Sequence, residues 1–198
     1  MKLVFATNNK NKLREIKDLI PAGIEIVSLL DIGCKDDIPE TGITIESNAS
    51  EKAFFVYNRY NIDCFADDTG LEIEALKGRP GVHSARYAGE ECCFESNITK
   101  VLFEMQGASN RKASFRTVIS LIIDGKENQF EGKINGVILS EKHGNNGFGY
   151  DPIFLPDGFN QTFAEMPPDL KNSISHRGLA VQKLVCYLES IDKNKKIF

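Results

Sequence analysis

Two adjacent carboxylates, Asp67 and Asp68, are followed by Thr69-Gly70 and preceded by the apolar run Ile62-Asp63-Cys64-Phe65-Ala66. At a strand end such a pair can hold a hard cation and activate water. Side chains alternate along a strand, so both carboxylates face one way only if the strand has ended. The pattern predicts a strand that stops at Ala66 and a turn over 67–70. Three chemistries compete for that turn. It could be a metal and water site for phosphate chemistry, an aspartic-protease D-T-G loop whose two aspartates share a proton, or a plain turn built on Asp and Gly. A single-chain aspartic protease needs two such loops and this chain has one D-T-G. Asp67 also stands where that motif usually carries an apolar residue.

Four other segments could bear on the same chemistry. Thr7-Asn8-Asn9-Lys10-Asn11-Lys12 lies between an apolar run and a helical pattern. Its backbone N–H groups and lysines suit an anion, or the segment is an ordinary N-cap with solvated lysines. It lacks the G-x-x-x-x-G-K-[ST] pattern of a P-loop. Glu40, in Pro39-Glu40-Thr41-Gly42, is either an exposed glutamate or, if folding brings it to Asp68, a second ligand for Mg²⁺. That ion takes one or two carboxylates and leaves its other positions to water and phosphate. Gly147-Phe148-Gly149-Tyr150-Asp151 offers aromatic faces for a base and an acceptor for ring N–H groups, or simply aromatic residues plugging the core. Ser175-His176-Arg177-Gly178, with Lys171 five residues before the histidine, could bind phosphate or a base edge, or face solvent. No G-x-S-x-G accompanies it to suggest a nucleophilic serine.

The elements that must position these residues can be outlined. Leu3 to Ala6 reads as a buried strand, followed by a helix on Leu13, Ile16, Leu19 and Ile20. A second strand spans Ile24 to Leu29, a polar stretch runs to Thr44, and Glu46 to Tyr60 is helical. Asn97 to Met105 and the region around Leu179 to Leu188 are further helices. Ala113 to Ile123 and Gln129 to Lys133 form a hairpin across Asp124-Gly125. Strands alternating with helices early and a hairpin later indicate an α/β protein with a mixed sheet, in one domain over 1–198.

Composition narrows the function. The 198 residues include 24 basic and 28 acidic side chains, a net charge of −4. With no basic run beyond the tail Lys193-Asn194-Lys195-Lys196, polymeric nucleic acid is not the expected partner. Five cysteines, odd in number and without a C-x-x-C pair, argue for reduced thiols rather than a disulfide framework or zinc site. The apolar start is too short for a signal peptide, and no run approaches the roughly 18 apolar residues of a membrane span. A cytoplasmic location is expected.

In combination and in this order the segments closely resemble the inosine triphosphate pyrophosphatase family, the Ham1/RdgB-like non-standard purine nucleoside triphosphate pyrophosphatases. The resemblance rests on TNNKNK at 7–12, PETG at 39–42, ESNASEKA at 46–53, DDTGLEIEALKGRPGVHSARYAG at 67–89, GFGYDPIF at 147–154 and SHRG at 175–178. It implies a two-lobed α/β fold with a long mixed sheet and flanking helices, a nucleotide cleft between the lobes, and a homodimer. It further implies Mg²⁺-dependent hydrolysis of ITP, dITP and XTP to monophosphate and pyrophosphate. Asp68 would activate water and, with Glu40, hold the metal, supported by Asp67. Lys10, Lys12 and Lys52, together with Thr7, Asn8, Asn9 and Asn11, would meet the phosphates. Thr69, Phe148, Gly149, Tyr150, Asp151, Lys171, His176 and Arg177 would hold sugar and base. Two departures stand out: many relatives have T-G-N at the first loop and D-D-S-G at the second. A Maf-like pyrophosphatase, acting on modified or canonical pyrimidine nucleotides, and a non-catalytic nucleotide sensor are the remaining alternatives.

Overall fold

A computed structural model describes residues 1–195, so Lys196 of the basic tail lies outside the described residues. The elements run β1 (Lys2–Phe5), α1 (Lys10–Leu19), β2 (Glu25–Ser28), α2 (Ile45–Tyr60), β3 (Cys64–Ile73), β4 (Pro80–Gly81) and α3 (Phe94–Glu104). They continue with β5 (Lys112–Ile123), β6 (Lys126–Ile138), β7 (Phe154–Pro156), α4 (Pro168–Ile174) and α5 (His176–Lys195). The strands form one mixed sheet in the order β2-β1-β3-β5-β6-β7, with β4 paired to β3. β1 is parallel to both β2 and β3, whereas β4 and β7 are antiparallel to their partners.

The chain divides into two compact units. The first comprises 1–68, 117–132 and 177–198, and the second 69–116 and 133–176. In the first unit β1 is a continuous apolar run with Leu3, Val4 and Phe5 fully buried, as befits a parallel strand covered on both faces. One face packs Leu3, Phe5, Phe65, Ile119 and Leu121 against Ile16 of α1 and Ala180, Val181 and Leu184 of α5. The other packs Val4, Ala6, Cys64 and Ala66 against Ala53 and Val56 of α2. Phe5 and Phe65 are register partners, and their rings stack with centroids 4.6 Å apart. In the second unit Phe115, Phe154, Phe163, Ile98, Val101 and Met105 centre a separate core.

The hairpin between β5 and β6 turns on Asp124 and Gly125, both at positive φ, as the sequence indicates. Among the described residues no helix is long and apolar enough to cross a membrane. One expectation fails: β3 does not stop at Ala66 but continues through Asp67-Asp68-Thr69-Gly70 to Ile73. The tetrapeptide is part of a buried strand, and its two carboxylates therefore point to opposite faces.

Candidate active site

Strand alternation fixes what each carboxylate meets. Asp67 shares the face of Phe65, and Asp68 shares that of Ala66. On the Phe65 side lie α1 and α5, and from them come Lys12 and Arg177. Lys12 Nζ is 3.1 Å from Asp67 Oδ1, and Asp67 Oδ2 accepts from Arg177 Nε and Nη2 at 3.3 and 3.2 Å. Arg177 Nη1 also donates to Glu15 Oε2 at 2.6 Å. Glu15 follows Lys12 by three residues on α1, so the two share a helical face. Burial pushes the Asp67 carboxyl up, but Lys12, Arg177 and Lys52 together outweigh it and hold the group well below the usual range.

On the Ala66 side lies α2, and its residues engage Asp68. Lys52 Nζ is 3.1 Å from Asp68 Oδ1 and 2.6 Å from Glu40 Oε1. Asn48, one helical turn earlier, donates from Nδ2 to Asp68 Oδ2 at 3.4 Å. Burial raises the Asp68 carboxyl above its ordinary value more than Lys52 and Lys12 lower it, and the nearby Glu40 charge adds to the rise. Burial disfavours the Lys52 ammonium, yet Asp68, Glu40 and Asp67 override that and keep it charged. One aspartate is thus clamped between two cations, whereas its neighbour shares a single lysine with Glu40.

The fit to a divalent cation can be judged from these donors. Glu40 and Asp68 already converge on one cationic atom, Lys52 Nζ. Beside them the Asn48 amide oxygen is buried with no hydrogen-bond partner among the described residues. Two carboxylates and an amide oxygen are hard donors that suit Mg²⁺, which needs no third carboxylate. Among the described residues no cluster of three His, Cys, Asp or Glu side chains is found.

The first loop is both a cap and a neighbour of this site. Asn9 Oδ1 accepts from the N–H groups of Asn11 and Lys12 at 2.9 and 3.2 Å, and the Asn9 N–H donates to Thr7 Oγ1 at 3.1 Å. Two amides at the start of α1 are therefore already engaged. Lys12 reaches Asp67, whereas Asn8 and Lys10 are exposed to solvent.

In the second unit, Asp151 Oδ2 accepts from the Phe148 N–H at 2.8 Å and from Lys171 Nζ at 2.7 Å, with both charged groups buried. Lys171 Nζ also sits 5.1 Å from the centre of the Phe148 ring, within cation–π range. Tyr150 is buried, and its hydroxyl donates to the Ser84 carbonyl at 2.8 Å. His176 stacks on Phe115 at 4.5 Å between centroids and 11° between planes. Phe148 and Gly149 remain half-buried and border an open pocket with Phe94, Lys142 and Asn146. Thr69 is half-buried on β3.

The structure thus gathers Lys12, Glu40, Lys52, Asp67, Asp68 and Arg177 in the first unit and Phe148, Asp151, Lys171 and His176 in the second. Sequence reasoning assigned no role to Asn48 and Glu15. The signal was present as helical spacing: Asn48 precedes Lys52 by four residues, and Glu15 follows Lys12 by three.

The profile of the Ham1 family matches residues 3–187. The chain belongs to the Ham1 family. It is 57% identical over 188 residues to a dITP/XTP pyrophosphatase of Christiangramia forsetii, covering 95% of this chain and 99% of that one. A dITP/XTP pyrophosphatase of Flavobacterium johnsoniae is 55% identical over 185 residues, covering 93% and 96%. Among solved structures, the Staphylococcus aureus Ham1 protein superposes with a TM-score of 0.88 at 38% identity, covering 96% of this chain and 99% of that one. A Ham1 protein from Coxiella burnetii gives 0.89 at the same identity and coverage. The mixed α/β architecture is thus that of other Ham1 proteins.

Proposed function

We propose that this Ham1 protein hydrolyses non-standard purine nucleoside triphosphates, dITP, XTP and ITP, to the monophosphate and pyrophosphate, clearing them before they enter DNA or RNA. The observation that carries the proposal is the convergence of Asp68 and Glu40 on Lys52, in a chain 57% identical to a dITP/XTP pyrophosphatase. We further propose that it acts with Mg²⁺, as a cytoplasmic homodimer.

Hydrolysis at the α-phosphorus forms a bond from water oxygen to phosphorus and breaks the bridging bond to pyrophosphate. Asp68, buried on β3 and held by Asn48 and Lys52, would accept the proton that the attacking water loses. Glu40 and Asp68 would hold Mg²⁺, which when bound supplies positive charge to the phosphate oxygens. Lys52 and Lys12, with Lys10 and the polar groups of Thr7 to Asn11, would neutralise the triphosphate. Asp67 keeps Lys12 and Arg177 in place from the far face of β3. Sugar and base would fall to Thr69, Phe148 to Asp151, Lys171, His176 and Arg177, the last exchanging part of its contact with Asp67 and Glu15. Hypoxanthine and xanthine carry a carbonyl at the 6 position where adenine has an amino donor, so a protein N–H donor favours them.

The test is pyrophosphate release from ITP, XTP, dITP, ATP and GTP, with Mg²⁺ and then with excess EDTA. Rapid, chelator-sensitive release from the first three is expected. Asp68→Asn should lose roughly 10²–10⁴-fold in kcat, the usual worth of a general base, while keeping the wild-type circular dichroism. No release from any purine triphosphate would overturn the proposal.

A further inference from the structure

We infer that Glu51 is a positioning residue that sets Glu40 in register with Asp68; the inference rests on the proposal above that Glu40 is a ligand of the divalent cation. Glu40 lies on an irregular segment, since residues 34–44 belong to no helix or strand. No β-ladder or helical bond holds its backbone, yet its carboxylate must meet the Asp68 cation to within a few tenths of an ångström.

The anchor is the next residue. Thr41 donates twice to Glu51, from its backbone N–H to Oε2 at 2.7 Å and from its hydroxyl to Oε1 at 2.8 Å. These two contacts, the backbone one foremost, hold the Glu51 carboxyl below its ordinary range, and the Gly42 N–H adds to the effect. Gly42 closes the segment onto α2, because a Cβ there would lie 2.2 Å from Ser47 Oγ and 2.7 Å from Asn48 Oδ1. Helix α2 therefore fixes the loop on both sides of Thr41.

The spacing along α2 explains why this should matter to the site. Asn48, Glu51 and Lys52 stand at i, i+3 and i+4, on one face. Asn48 binds Asp68, Lys52 bridges Asp68 to Glu40, and Glu51 grips the residue after Glu40. One rigid helix thus locates both carboxylates.

The experiment is a titration with Mn²⁺ alone, followed by loss of the free-ion EPR signal, on wild type, Glu51→Ala, Glu51→Gln, Thr41→Val and Glu40→Gln. Removing an outer-shell partner of a ligand typically weakens metal binding about 10- to 100-fold. Glu51→Ala is expected to lose roughly tenfold in Mn²⁺ affinity and to need that much more Mg²⁺ for half-maximal pyrophosphate release. Its nucleotide KM at saturating Mg²⁺ and its Tm should stay near wild type. Glu51→Gln, which keeps one carbonyl acceptor, should recover part of the loss, and Thr41→Val in the Glu51→Ala background should add nothing. Wild-type Mn²⁺ affinity in Glu51→Ala alongside a loss in Glu40→Gln overturns the positioning role and leaves Glu40 as a ligand. Wild-type affinity in Glu40→Gln overturns both. Should Glu51→Ala fail to fold, Thr41→Val alone decides: it should lose roughly threefold, and unchanged affinity sinks the inference.

Discussion

Adjacent aspartates do different work here because a strand sends them to different neighbours. Asp67, clamped by Lys12 and Arg177, is held charged far into acid, which couples it to stability. Its folded-state pKa is depressed below the ordinary value of 3.8, so its ionisation contributes stability that is full above about pH 4 and lost as pH falls from there toward the folded value. Asp67→Asn leaves two buried cations facing a neutral partner and should cost about 3–5 kcal/mol at neutral pH. Because the variant cannot titrate at that position, the gap to wild type should narrow as pH drops below 4. Urea unfolding at pH 7, 5 and 3 in EDTA measures it, and a gap of constant size would show that Asp67 is not the group coupled to folding. The chemical identity of these residues was legible in the sequence, and the resemblance paired Asp68 with Glu40, but it sent Lys52 to the phosphates rather than to these two carboxylates. The division of labour between the two aspartates was not legible, because it depends on which helices cover each face of β3.

At the scale of elements, local propensity misread the extent of β3 for a physical reason. Two aspartates followed by Thr-Gly favour a turn, since aspartate and glycine are poor strand formers. In the folded chain Lys12, Arg177 and Lys52 satisfy both carboxylates, so tertiary pairing outweighs the local preference and the strand runs on. The short α4 and β7 escaped notice because neither has enough residues to show a period. The loop at 147–151 was legible as a special structure, and its glycines have a definite role. Gly147 sits at φ +75°, and a Cβ there would fall 2.0 Å from Asp151 Oδ2. Gly147→Ala should therefore displace the Asp151 carboxylate from the Phe148 N–H and Lys171. The expected result is at least a tenfold rise in the nucleotide KM, with a smaller change in kcat, read by steady-state pyrophosphate release. An unchanged KM would argue that this loop does not touch the substrate.

At the scale of the whole molecule, the first unit is assembled from three separated stretches of chain, and that determines what can fold alone. Residues 1–68 contain β1, β2, the start of β3, α1 and α2, which read in isolation like a complete small α/β element. One face of that sheet would indeed keep its cover, since α2 supplies Ala53 and Val56. The opposite face would not. There α1 would remain with Ile16, but Ile119, Leu121, Val181, Leu184 and Leu188 all come from later in the chain, leaving Leu3, Phe5 and Phe65 only partly covered. Each such side chain stabilises by about 1.5–3 kcal/mol on burial. Together the five missing ones are on the order of the entire net stability of a domain, about 5–15 kcal/mol. Parallel strands also require both faces covered, and β3 would become an unprotected edge. A fragment ending at Asp68 should accordingly be unfolded or aggregated, with a collapsed amide NMR spectrum and no cooperative melt. A dispersed spectrum would mean that α1 and α2 suffice to hold the strand carrying Asp67 and Asp68, and that the later segments only decorate a core already formed.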